Sequence, residues 1–90
     1  MTVNSRAQRR EKRRAGVESV FGPTADAALD LLELTEFAWH DCYGEVTPPD
    51  QVVHDLLTVS QGRLDLLASA ARLAVEDFRD LRIQAEALYG

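Results

Sequence analysis

The apolar positions of this 90-residue chain fall into three runs at helical spacing, separated by breaks that carry proline or glycine. In the first run Ala28, Leu31, Leu32, Thr35, Ala38 and Trp39 recur three and four apart, while Asp26, Asp30, Glu33 and His40 gather on the other side. Side chains three and four apart share a face at 3.6 residues per turn, so this run predicts an amphipathic helix over about 25–41. Thr24 stands where an N-cap is wanted, Asp26 favours the positive end of the helix dipole, and Gly44 suits the left-handed residue that closes a helix.

The second run follows Thr47-Pro48-Pro49-Asp50, in which threonine can cap, proline fits a first helical turn and Asp50 can answer as in a capping box. Val52, Val53, Leu56 and Leu57 then form an apolar stripe with Asp55 expected on the wet side, predicting a short helix over about 48–58. Ser60 is the expected cap of a third helix over about 61–88. Leu64, Leu67, Ala71, Ala74, Phe78, Leu81, Ala85 and Leu88 there alternate three and four apart as an unbroken heptad seam. The fold class that follows is all-α: a three-helix antiparallel bundle over 17–90 with a long C-terminal helix. A continuous third helix overhangs the first by about ten residues, roughly 15 Å at 1.5 Å per residue. Phe78, Leu81, Ala85 and Leu88 on that overhang need cover, either from a second copy in a homodimer or from the patch Val17, Val20 and Phe21 folding back.

Charge changes the picture at the front of the chain. Residues 1–16 lack apolar periodicity and carry Arg6, Arg9, Arg10, Lys12, Arg13 and Arg14 against Glu11 alone, whereas the remainder carries fourteen acids against four arginines. The net charge of −5 therefore averages a basic segment and a strongly acidic body. So charged a run is expected to be a disordered arm when alone, although Ser5 and the helix-forming residues after it would let an anionic partner induce a helix. The arm is suited to phosphate contacts that give nucleic-acid affinity without sequence readout. The competing readings are a solvated tail and an arm docked on the acidic stripe of Asp26, Asp30 and Glu33.

Candidate chemistry is sparse. A single cysteine, Cys42, excludes an intramolecular disulfide, and no uncharged apolar run approaches the ~18 residues that would span a bilayer, so a cytoplasmic protein is expected. His40, Asp41, Cys42 and His54 are the residue types of a zinc site, but no CxxC and no pair of histidines one turn apart fixes a tetrahedron. A thiol nucleophile at Cys42 with His54 as base would be opposed by Asp41 and Glu45, which disfavour the thiolate. No metal, cofactor or catalytic set is therefore assigned. Trp39, His40 and Tyr43 at the corner between the first two helices have the aromatic character of a protein-contact hot spot.

The segments Phe37-Ala38-Trp39-His40-Asp41-Cys42-Tyr43-Gly44-Glu45, Thr47-Pro48-Pro49-Asp50, Ala71-Arg72-Leu73-Ala74-Val75 and Asp80-Leu81-Arg82 resemble small uncharacterised helical proteins of actinobacteria and their phages. That resemblance spans about half the chain, from Thr35 to Arg82, and implies a GC-rich host or mobile-element setting with no assigned activity. The expected function is a small protein-interaction or regulatory module. Its partner would bind through Trp39, His40, Tyr43, Phe78, Leu81, Ala85 and Leu88, and the alternative is a nucleic-acid-associated regulator that uses the six basic residues of the arm.

Overall fold

The computed structural model describes residues 5–89, with side chains as far as Leu88. Four α-helices follow one another among them: α1 (Arg6–Phe21), α2 (Ala25–Tyr43), α3 (Asp50–Ser60) and α4 (Leu64–Tyr89), with a 3-10 turn, Gly22–Thr24, between the first two. The basic segment is thus no disordered arm from Arg6 onward, and residues 1–4 of that expectation lie outside the described residues. Ser5 starts α1 with a reciprocal capping box: its hydroxyl accepts from the Gln8 backbone N–H at 3.2 Å, and the Gln8 side chain accepts from the Ser5 N–H at 3.0 Å. Two of the donors that every helix start leaves unpaired are satisfied in this way. At its other end Val17 and Phe21 are buried in the core, so α1 is tied down by packing as well.

The buried side of α2 is Ala25, Ala28, Leu29, Leu32, Thr35, Glu36 and Trp39. Relative to the expected face it is turned toward Leu29 and Glu36, because α1 lies on that side and α4 covers only part of the other. Gly44 closes α2 in the left-handed region at φ 74°, its N–H donating to the His40 carbonyl at 2.8 Å. The threonine caps are not used as such. Thr24 Oγ1 donates to the Phe21 carbonyl, and Thr47 Oγ1 donates to Glu36, which leaves Pro49 at the start of α3. Ser60 ends α3 rather than starting α4, with its hydroxyl donating to the Leu57 carbonyl. Gly62 then turns the chain at φ 77° so close to α1 that a Cβ there would lie 2.7 Å from the Val20 carbonyl oxygen.

The largest departure from the expected bundle is in α4. Asp77 sits in extended backbone at φ −160° and ψ 92°, dividing the helix into segments 64–76 and 78–89. Its carboxylate accepts from the backbone N–H groups of Arg79 at 3.1 Å and Asp80 at 3.4 Å, so Asp77 acts as the N-cap of the second segment. The continuous rod over 61–88 is therefore broken, and its overhang does not exist. A straight helix would carry Arg82 about 27 Å beyond Leu64, past the whole of α3, which is roughly 16 Å long at 1.5 Å per residue. Instead Arg82 Nη1 reaches Oδ1 of Asp55 in the middle of α3 at 2.9 Å. Leu81 and Ala85, expected to need cover from a second copy or from the patch Val17, Val20 and Phe21, are fully buried within the same chain. Asp55, expected in water, is buried as well, accepting from both Arg82 and the Gln51 side chain.

Candidate interaction surfaces

The corner between α2 and α3 is built around the break in α4. A regular helix would bond the Val75 carbonyl to the Arg79 N–H four residues on; that N–H turns to Asp77 instead, and the Tyr43 hydroxyl donates to the Val75 carbonyl at 2.8 Å. Trp39 is buried and donates its indole N–H to Glu45 at 2.9 Å. Its ring lies 4.3 Å from that of Tyr43 and 5.8 Å from that of Phe78, both tilted, with Phe78 edge-on to Tyr43 at 5.9 Å. These are favourable aromatic geometries. The cluster thus holds the break together, and Trp39, Leu81 and Ala85 are withdrawn from the expected partner-binding set by burial. His40, Tyr43, Phe78 and Leu88 of that set remain exposed.

The basic residues of α1 face the acids of α2. Arg10 Nη1 lies 2.8 Å from Asp30 and 3.4 Å from Glu33, and Arg14 Nη1 lies 3.0 Å from Asp26. Arg6 stacks its guanidinium over the Phe37 ring at 4.1 Å, a cation–π arrangement. Most deeply placed is Glu36, 3 % exposed: Arg9 meets it through two N–H groups at 2.6 and 3.1 Å, Arg13 through Nη1 at 3.0 Å, and Thr47 Oγ1 through a hydrogen bond of 2.7 Å. Arg13 completes the ring by donating to Thr47 at 2.9 Å. Burial pushes the Glu36 carboxyl up, but the hydrogen bonds from Arg9 and Thr47 and the charges of Arg13 and Arg9 outweigh it, leaving Glu36 below the usual glutamate range. The same hydrogen bond raises the Arg9 guanidinium above its ordinary value. Four of the six basic residues expected to grip phosphate, Arg9, Arg10, Arg13 and Arg14, are thus paired inside the chain; Lys12 has no ion-pair partner among the described residues.

Glu36 carried a signal in the sequence that the more apolar seam through Leu31 and Ala38 obscured. Leu29, Leu32, Glu36 and Trp39 are spaced three, four and three, which places a lone carboxylate in an apolar stripe of a chain that also carries a cluster of arginines. The zinc and thiol residues are not assembled: His40, Asp41 and Cys42 are exposed, His54 projects from α3, and no group of three or more His, Cys, Asp or Glu among the described residues is placed to hold a metal.

Two grooves flank these elements. One, of about 410 Å³, runs between α2 and the 64–76 segment of α4 and is lined by Leu31, Leu34, Ala38, Ala68, Ala71 and Val75. Beside it stand the exposed Leu34, 61 % accessible, and the Arg72–Glu76 ion pair at 3.2 Å. The other, of about 600 Å³, separates α1 from α3. No family model, curated protein or solved structure matches this chain. Among the described residues no helix is long and apolar enough to cross a membrane.

Proposed function

We propose that this chain is a small helical protein-interaction module, regulatory in role, whose contact surface is the face shared by α2 and the first segment of α4. The single observation that carries the reading is a protruding leucine on the wall of a shallow groove with three alanines in its lining: Leu34 stands out beside Ala38, Ala68 and Ala71. A knob and a hole on the same face are self-complementary about a two-fold axis, so the proposed occupant is a second copy of the chain. This surface replaces the one centred on Leu81 and Ala85, while Tyr43 and Phe78 remain exposed for a further partner. An actinobacterial or phage setting is part of the proposal through the resemblance of the segments around Trp39 and Asp80.

Light scattering coupled to size exclusion tests it directly. The expected result is a mass of twice 10.0 kDa for the native chain at high concentration, and a monomer of unchanged helicity for Leu34→Asp. A native chain that is monomeric throughout, with Leu34→Asp indistinguishable from it, would remove this face from consideration.

A further inference from the structure

The groove between α1 and α3 has two chemically different walls. On α1, Arg9, Lys12, Arg13 and Gly16 follow at the spacing of one helical face; on α3, Asp50, Val53, His54 and Leu57 repeat that spacing, with Val46 and Thr47 closing the end. The cationic end lies where Arg13 donates to Thr47, and the uncharged end lies around Gly16 and Leu57. Its volume of about 600 Å³ is within the range of roughly 300–1,000 Å³ typical of small-molecule sites.

Charge and shape both select an occupant. Arg9 and Arg13 share Glu36 between them, and Lys12 beside them has no ion-pair partner among the described residues. Three basic side chains, Arg9, Lys12 and Arg13, thus line the groove with one carboxylate, Asp50, in a chain whose net charge is −5. Arg13 spends one N–H of each terminal nitrogen on Glu36 and Thr47 and retains further donors in its five-donor fork. Val46, Val53 and Leu57 give the rest of the lining an aliphatic character.

Gly16 is an independent pointer. It lies inside a regular helix, its backbone is not in the left-handed region, and a Cβ built on it meets no atom within 4 Å. Neither backbone conformation nor crowding therefore asks for glycine, although glycine in a helix interior costs about 1 kcal/mol relative to alanine. What distinguishes the position is that it lines the groove, where a missing side chain leaves room.

We propose that the α1–α3 groove binds an anionic amphiphile: a carboxylate or phosphate head held by Lys12 and the spare donors of Arg13, with an aliphatic tail laid along Val53, Leu57 and the open backbone at Gly16. This site is separate from the α2–α4 face and does not depend on self-association there. A free fatty acid and an anionic phospholipid headgroup share this chemistry.

The experiment is a titration of the full-length, isotopically labelled protein followed by backbone amide shifts, with decanoate, decyl phosphate, the uncharged 1-decanol and phosphatidylglycerol vesicles as probes. Decanoate or decyl phosphate is expected to give saturable shifts centred on Gly16, Val53 and Leu57. Lys12→Gln should weaken binding by about threefold, the size of one solvent-exposed charge contact. Gly16→Ala should fold and bind like the native chain, whereas Gly16→Leu should fold at least as well and lose binding by more than about tenfold by filling the groove. Vesicle binding that Gly16→Leu abolishes would support the site with a lipid as its source. The proposal is overturned if 1-decanol binds as tightly as decanoate, if the shifts centre on Leu31, Leu34 and Ala68, or if Gly16→Leu leaves every probe bound.

Discussion

The two halves of this molecule each bury one carboxylate, and they do so against different backgrounds. Between α1 and α2, Glu36 is enclosed by Arg9, Arg13 and Thr47, with further ion pairs running outward to solvent and apolar contact concentrated near Val17 and Phe21. Between α3 and α4, Asp55 has Arg82 and Gln51 as partners, and the surrounding contact is Val52, Val53, Leu56, Leu67, Leu81 and Ala85. The first junction adds a network of buried and rim charges to its apolar contacts, whereas the second rests largely on removal of apolar surface from water. Stability at the first should therefore respond to protonation and salt, and at the second to the volume of the side chains removed.

The sharpest test of that contrast is Glu36→Gln, which strands two mostly buried guanidiniums; urea denaturation should show a loss of about 3–5 kcal/mol. The effect should also depend on pH in a definite direction. Because the Glu36 carboxyl titrates below its ordinary value in the folded chain, its stabilisation is complete above the unfolded value of about 4.3 and is lost as pH falls through the lowered one. Denaturation curves of the native chain and Glu36→Gln should thus converge in acid; a constant gap down to the acid limit would mean that the carboxylate's charge is not what holds α1. Next in size, Leu81→Ala should cost about 2–5 kcal/mol by opening a cavity under α4, with little dependence on salt or pH. A negligible change would put Leu81 outside the core.

Asp77→Ala should cost less, about 1 kcal/mol, since it removes an N-cap but no buried volume. Circular dichroism and thermal melting would read it, and a gain in stability would show that the break is imposed on the helix rather than favoured by its own cap. Smallest of all is the paired replacement of Arg10 and Arg14 by glutamine. Their partners Asp26 and Asp30 are largely in water, so the melting point should move slightly in dilute buffer and not at all in concentrated salt. A large, salt-insensitive loss would shift the weight of the α1–α2 junction from Glu36 to its rim.

Periodicity made the helical class and three of the element positions readable, because α2, α3 and the first segment of α4 each bury a face that recurs every three or four residues. Two features escaped it for a common reason. The heptad pattern continues without interruption across Asp77, and seam positions on both sides of the break, Ala74 before it and Leu81 after it, are buried, so the same spacing serves a straight rod and a bent pair. Only the capping chemistry of Asp77, with free N–H groups at Arg79 and Asp80 to satisfy, tells the two apart. Likewise α1 has too few apolar residues to announce a packed helix, and the acids brought to it from α2 tie it down together with the burial of Val17 and Phe21. Composition can show that a segment is charged; it does not show that the opposing charges will be in reach. The grooves were illegible for a related reason, since Leu34 and Gly16 acquire meaning only from what the neighbouring helices fail to cover.

Trp39 is the sole tryptophan of the chain, and it is packed against Tyr43 and Phe78 where α4 changes direction. Its emission is accordingly a built-in optical gauge of that elbow. Loosening there would admit water to the indole and redden the spectrum, whereas events confined to the α1–α3 groove would leave its colour unaltered, so one cuvette can tell which part of the molecule has moved.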